Sequence, residues 1–218
     1  MIKLIIFDFD GTLFDTKEDI ARSVNIYLKE LGFEELEEEK IYKFIGNGSD
    51  YLLKKSLEEI GKKDFLNYSI VRFLEIYREE STKKVKPFDG IKAILDELKD
   101  KTLYIITNKD EESAKMILRK FDMEKYFKKV IGRNTYTLKK PDPSLMEIVL
   151  KEENVKRDEV LMVGDSEIDY KFAKEAQVKN IIVLWGGIGE VEKLRELKAD
   201  FIVNYPNEIV ELINENLV

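Results

Sequence analysis

The apolar positions change rhythm along the chain. Residues Ile2-Lys3-Leu4-Ile5-Ile6-Phe7 form a short run rich in branched side chains, halted by Asp8-Phe9-Asp10-Gly11-Thr12-Leu13. Such a run, stopped by polar groups and a glycine, predicts a buried strand. The spacing then becomes helical, with Ile20, Val24, Tyr27, Leu28 and Leu31 on one face and Gly32 as the stop. Thr16 stands as the N-cap of that helix, with Asp19 three residues on in capping-box position. The mostly acidic segment from Glu34 to Lys40 reads as a solvated helix start whose apolar side is Ile41, Phe44 and Ile45. Gly46-Asn47-Gly48-Ser49 interrupts it, and Ser49 is placed to cap a helix bearing Leu53, Leu57 and Ile60. A further helix presents Leu66, Ile70, Phe73, Leu74 and Tyr77.

From residue 15 to about residue 82 no strand pattern occurs, and Lys83-Lys84-Val85-Lys86-Pro87-Phe88-Asp89-Gly90 reads as a polar return linker, Phe14-Asp15 being the outgoing one. Beyond it, helices and strands alternate. Ile91, Ile94, Leu95 and Leu98 mark a helix, and residues 102–106 a strand ending in Thr107-Asn108-Lys109. Ala114, Ile117, Leu118 and Phe121 mark a helix, Val130-Ile131 a short strand, and Leu145, Ile148 and Val149 another helix. The strand at residues 160–163 runs into Gly164-Asp165-Ser166-Glu167-Ile168-Asp169 and a helix through Phe172, Ala173 and Ala176. A strand at 181–184, a loop Trp185-Gly186-Gly187-Ile188-Gly189, an edge strand at 201–203 and a last helix through Ile209, Leu212, Ile213 and Leu217 complete the pattern. Strands alternating with helices imply a parallel sheet covered on both faces, an α/β fold. The expected domains are a core of residues 1–14 and 83–218 and an all-helical insertion of residues 15–82.

Composition narrows the chemistry. The 218 residues contain no Cys and no His, which excludes thiol nucleophiles, thiolate or imidazole metal sites and Ser-His-Asp catalysis. Proton transfer falls to carboxylates, Lys, Tyr or water, and a bound metal must take oxygen ligands. The net charge of −7 and the lack of a basic stripe argue against a nucleic-acid partner. No apolar run approaches the roughly 20 residues of a membrane span, and the N-terminus opens directly on the strand. A cytoplasmic protein with no membrane partner is expected, as a monomer or homodimer.

Three expected strand ends carry chemistry-capable groups: Asp8 and Asp10, Thr107 and Asn108, and Gly164-Asp165. Lys140, before Pro141 in Lys139-Lys140-Pro141-Asp142-Pro143, is a fourth. In an open parallel sheet, ligands bind outside the carboxyl ends of the strands. Carboxylates gathered there repel unless a cation neutralises them, and a hard divalent ion such as Mg2+ suits their oxygens. Singly, each has a plain reading: Thr107 a helix cap, Lys140 a solvated lysine, Asp165 a turn residue, Asp169 a first-turn helix charge. Jointly they can make a phosphoryl-transfer site. Asp8 can attack phosphorus. Asp10 can protonate the leaving oxygen and then activate water. Asp8, Asp165 and the Asp10 carbonyl can hold Mg2+, and Thr107 and Lys140 can bind phosphoryl oxygens.

These motifs resemble those of the haloacid dehalogenase superfamily, and the resemblance runs the length of the chain. It implies a Rossmann-like core with a helical cap inserted after the first motif, and Mg2+-dependent hydrolysis of phosphoesters through an aspartyl-phosphate. It assigns Asp8, Asp10, Thr107 and Lys140 to catalysis and Asp8, Asp10 and Asp165 to the metal, with Asp169 behind it. Gly11 and Asn108 fall to substrate binding. A carboxylate at Asp10 disfavours dehalogenation, because an ester leaving group needs a proton and a halide does not. The nearest branch resembles phosphoglycolate phosphatase, through Pro87-Phe88-Asp89-Gly90, Thr107-Asn108-Lys109, Val163-Gly164-Asp165-Ser166 and the Trp185-Gly186-Gly187 loop. The departures are Asp110 where that branch often has Pro, and Lys174-Glu175-Ala176-Gln177 where it favours small residues. Asn47 and Gly48 lie where such caps send a loop toward the substrate; the plain alternative is an interhelical turn. The expected partner is a small phosphorylated metabolite, phosphoglycolate first. A phosphomutase, a pyrophosphatase or nucleotidase, and a non-catalytic binding module are the other readings.

Overall fold

The computed structural model describes every residue except Leu66, Gly189 and Glu190. The expectations for Leu66 on a helix face and for Gly189 in the loop after Trp185 therefore lie outside the described residues.

The first apolar run forms β1, Leu4–Phe7, and all four of its residues are buried. It lies at the centre of a six-stranded sheet with β4 (Thr102–Ile106), β5 (Lys129–Ile131), β6 (Val160–Gly164), β7 (Lys179–Val183) and β8 (Phe201–Val203). The order is β5-β4-β1-β6-β7-β8 and every pairing is parallel. The chain leaves β1 toward β4 and β5, then crosses back to β6, so the strand order reverses at β1. That is where an open parallel sheet opens a crevice. Alternate residues of β1 serve opposite faces. Ile5 and Phe7 join the cluster under α5 (Ile91–Glu97), α6 (Glu111–Lys120) and α10 (Asn207–Asn214). Leu4 and Ile6 join the cluster under α7 (Ser144–Glu153) and α8 (Glu167–Glu175). Branched residues with period-two alternation fit a sheet covered on both sides. A short helix, α9 (Val191–Glu196), precedes β8 where the periodicity gave no signal.

Between β1 and β4 the chain forms α1 (Lys17–Glu30), α2 (Glu38–Tyr42), α3 (Ser49–Glu59) and α4 (Ile70–Glu80). These helices bury a cluster of their own, from Ile20 through Leu53 to Tyr77. The chain segments leading in and out are not bare linkers. Phe14–Asp15 (β2) pairs antiparallel with Lys86–Pro87 (β3), a two-stranded ribbon at the root of the helical layer. Two expected caps are corrected. The Thr16 side chain makes no cap hydrogen bond; its hydroxyl donates to Asp10 Oδ1 at 2.6 Å. Asp19 does not close a capping box either. Its carboxylate accepts the backbone N–H groups of Lys84 and Val85 at 2.9–3.0 Å, pinning the return segment to α1. Ser49 begins α3 rather than capping it, and Gly48 is the uncapped residue before it. For Asp19 the distant partners outcompete the local one because its carboxylate pairs backbone N–H groups that the fold would otherwise leave unpaired. Among the described residues no helix is long and apolar enough to cross a membrane.

Candidate active site

Register brings the polar strand ends together. Phe7 is level with Ile105 on one side and Val163 on the other, so Asp8, Thr107 and Asp165 emerge at one end of three adjacent strands. The loop from β6 to α8 is closed by a true capping box: Ser166 Oγ accepts from Asp169 N and donates to Asp169 Oδ2 at 2.6 Å.

That fold-back leaves Asp169 Oδ1 free to take Lys140 Nζ at 2.6 Å. Lys140 Nζ also lies 2.7 Å from Asp8 Oδ1, an ion pair without hydrogen-bond alignment. All three groups are buried.

Asp165 sits on the other side of Asp8. Its Oδ1 accepts from the Thr12 hydroxyl at 3.0 Å, while Oδ2 is buried with no partner. Two glycines make room for these carboxylates. A Cβ on Gly11, whose φ is +80°, would meet Asp165 Oδ2 at 2.1 Å, and one on Gly164 would meet Asp169 Cγ at 2.3 Å. Carboxylate oxygens of Asp8, Asp165 and Asp169 all lie within 4.8 Å of one another. Lys140 is the one cation paired with this trio among the described residues.

The electrostatics follow from that imbalance. Burial, and then the Asp169 charge against the opposing pull of Lys140, pushes Asp8 up to about 7. Burial and the charges of Asp8 and Asp169 raise Asp165 well above the ordinary carboxylate range. Burial works against the Lys140 charge, but Asp169 and Asp8 outweigh it and its pKa rises. Three buried carboxylates facing one ammonium form a site short of positive charge. The unpartnered Asp165 oxygen and an all-oxygen donor set fit a hard divalent cation.

The Asp10 carboxylate points elsewhere. It accepts from Thr16 at 2.6 Å and from Lys109 Nζ at 2.8 Å. The Thr107 hydroxyl accepts from the Lys109 N–H at 3.2 Å, and the helix cap expected there is supplied by Asp110, which accepts from Ser113 N. Asn108 bridges core and helical layer: its Nδ2 donates to the carbonyls of Lys140 and Gly46, both at 3.1 Å. Arg78 of α4 reaches Asp110 at 3.1 Å in the same seam.

Between sheet and helical layer lies a cavity of about 40 Å3. Asp8, Asp10, Thr107 and Asn108 form its core side, and Gly46, Gly48 and Ser49 reach it from the helical layer. Lys140, Asp165 and Asp169 stand behind Asp8, and Gly11 packs on Asp165. Asn47, half-buried, is outside the cavity wall among the described residues. Four residues had no site role in the sequence reading. Thr12 and Lys109 lie inside the motifs already singled out, which was the available signal. Thr16 read as a helix cap, and Tyr77 read as core because its spacing is that of a packed helix face.

Residues 5–183 match the model of the haloacid dehalogenase-like hydrolase family. A phosphoglycolate phosphatase of Aquifex aeolicus is 33% identical over 219 aligned positions, covering 100% of this chain and 99% of that protein. One from Vibrio parahaemolyticus is 29% identical, covering 97% and 96%. Among solved structures, a predicted phosphatase from Clostridium acetobutylicum superposes with a TM-score of 0.77 at 28% identity, covering 99% of both chains. A predicted phosphoglycolate phosphatase from Haemophilus somnus reaches 0.84 at 24% identity, covering 97% and 98%, a likeness of fold. With its core topology, its clustered strand-end carboxylates and a family match over most of its length, the chain belongs to the haloacid dehalogenase-like hydrolases.

Proposed function

We propose that the protein is a phosphoric monoester hydrolase that uses Mg2+ and an aspartyl-phosphate intermediate, with phosphoglycolate its first candidate substrate. The observation that carries this reading is Asp8 itself. It is a buried carboxylate in the wall of a cavity, held by Lys140 and flanked by Asp165 and Asp169. Asp8, Asp165 and the Asp10 carbonyl would hold the metal, with Asp169 behind them. When bound, the ion would offset the carboxylates' charge and that of the phosphoryl group.

The protein's own groups supply the chemistry. An Asp8 oxygen attacks phosphorus and the bond from phosphorus to the ester oxygen breaks. Asp10 gives its proton to that departing oxygen, then takes one from the water that attacks phosphorus and frees Asp8. Thr107, Asn108 and Lys140 bind the phosphoryl oxygens and oppose the charge developing on them. The helices of residues 15–82 act as a cap that excludes water, with Gly46, Gly48 and Ser49 meeting the leaving group and Asn47 bracing the loop from outside the wall. The ribbon Phe14–Asp15 with Lys86–Pro87 is the hinge.

The relatives support a small substrate. The phosphoglycolate phosphatases of Aquifex aeolicus and Vibrio parahaemolyticus align along nearly their whole length. A cytoplasmic setting and a monomer or homodimer go with this reading. The test is phosphate release across a panel of phosphorylated metabolites with and without Mg2+, with Asp8→Asn in parallel. Preference for phosphoglycolate, lost in the variant, is the expected result. Activity that survives metal removal or the Asp8 change counts against it.

A further inference from the structure

One phenol of the cavity wall has an O–H with no acceptor in the protein. Tyr77 of α4 is 3% exposed and lines the cavity, and the only polar side chain against its Oη among the described residues is Lys109, a donor. A buried phenol ordinarily finds an acceptor, so one without it in a cavity wall marks a place where a ligand's acceptor fits. Lys109 lies against it, with Nζ 4.4 Å from the Tyr77 ring centroid and 2.8 Å from Asp10 Oδ1. Lys109 also lines the cavity. Two other polar groups in the wall are engaged: Asn108 by the Gly46 and Lys140 backbone, Asp110 by Arg78 and Ser113. Much of the helical side is apolar, with Ile45, Leu52 and Phe73 among its residues.

We infer that Lys109 Nζ and the Tyr77 hydroxyl form a subsite for a carboxylate carried by the leaving group. This rests on the phosphatase reading for the position of the phosphoryl group, and adds what lies beyond it. A carboxylate offers two acceptor oxygens and no donor, one for the ammonium and one for the phenol. A neutral hydroxyl satisfies Tyr77 alone and gives Lys109 no reason to leave Asp10. When Lys109 turns to the substrate, Asp10 keeps Thr16 as a partner, so no buried carboxylate is stranded without a hydrogen bond. Lys109 thus ties recognition of the correct leaving group to the release of Asp10.

Isothermal titration with two phosphonates in Mg2+ tests this without turnover: 3-phosphonopropionate, and propylphosphonate, which lacks only the carboxylate. The wild type is expected to bind the first at least about 10-fold tighter, the value of a charge-assisted hydrogen bond. Tyr77→Phe, which keeps the ring, and Lys109→Gln are each expected to cut that preference to about threefold or less. Equal or undetectable binding of both by the wild type, or a preference unchanged in Tyr77→Phe, overturns the subsite. Hydrolysis of phosphoglycolate and ethyl phosphate is measured alongside. Preferential binding with neither ester hydrolysed sinks the phosphatase reading and keeps the subsite. Hydrolysis of both with no phosphonate preference does the reverse.

Discussion

Replacing Lys140 by Met tests the charge balance at the centre of the site. Met has a comparable unbranched length and fills the space, so the change removes charge more than volume. Lys140 is 2% exposed and holds Asp169 at 2.6 Å and Asp8 at 2.7 Å. Its loss leaves three carboxylates within 4.8 Å with no cation between them. Breaking a buried ion pair from one side costs about 3–5 kcal/mol. For a chain of this size each kcal/mol is worth about 2–4 °C, so Tm should fall by about 6–20 °C in metal-free protein at pH 8. Two further conditions separate this cause from poor packing. At pH 5.5 the deficit should shrink, because Asp8, pushed up to about 7 even with Lys140 present, is then protonated. Saturating Mg2+ at pH 8 should also recover part of the loss, since the ion stabilises whatever state binds it. The assay is thermal unfolding followed by circular dichroism in EDTA and in Mg2+. A Tm within about 2 °C of wild type at pH 8 without metal would refute the electrostatic reasoning. A deficit independent of pH and metal would assign the loss to packing.

The same site makes further predictions. Asp8→Asn should lower phosphate release by at least about a thousandfold while leaving metal-free Tm unchanged or raised, since it removes a nucleophile but also a buried charge; residual activity of a few per cent would exclude Asp8 as nucleophile. In metal-free wild type, Asp8 is protonated below about 7 in the fold but only below 3.8 when unfolded. Its ionisation therefore removes stability as pH rises through that window, by about 1.4 kcal/mol per unit for one proton. Denaturant midpoints should fall from pH 5.5 to 7, and a midpoint that climbs over that range contradicts the sign. Gly11→Ala would put a methyl group 2.1 Å from Asp165 Oδ2 at a φ of +80°, so Mg2+ affinity measured by titration should drop at least about tenfold; wild-type affinity would show that the turn yields freely. Asp19→Asn removes a charged acceptor from the Lys84 and Val85 N–H groups and should cost about 1–3 kcal/mol in urea unfolding, with no loss meaning that the return segment is held elsewhere.

Much of this molecule is written locally. β1 was legible because four consecutive branched or aromatic residues bounded by Asp and Gly leave few conformational choices. The later alternation of strands and helices fixed a parallel sheet, because each strand is apolar on both faces and only flanking helices can cover it. The absence of His and Cys limited the chemistry to oxygen ligands and carboxylates before any fold was considered. The motif residues Asp8, Thr107, Lys140, Asp165 and Asp169 could be named from their places at strand ends and in one loop.

Tertiary structure decided what those residues do to one another. Thr16 and Asp19 carry the signature of a capping box, yet Thr16 serves Asp10 and Asp19 serves a segment 65 residues away. Local propensity ranks only nearby partners, and a distant buried N–H that would otherwise go unpaired outweighs it. Lys140 reads as one lysine among many, and its burial between two carboxylates depends on β1, α8 and the loop before Pro141 meeting in space. Tyr77 illustrates the limit most clearly. Its spacing marks it as core, which it is, but that it lines a cavity beside Lys109 follows only from how α4 packs against α1 and α6. Sequence periodicity reports which face of an element is buried, and the packing of elements determines which buried polar atoms are left without a partner.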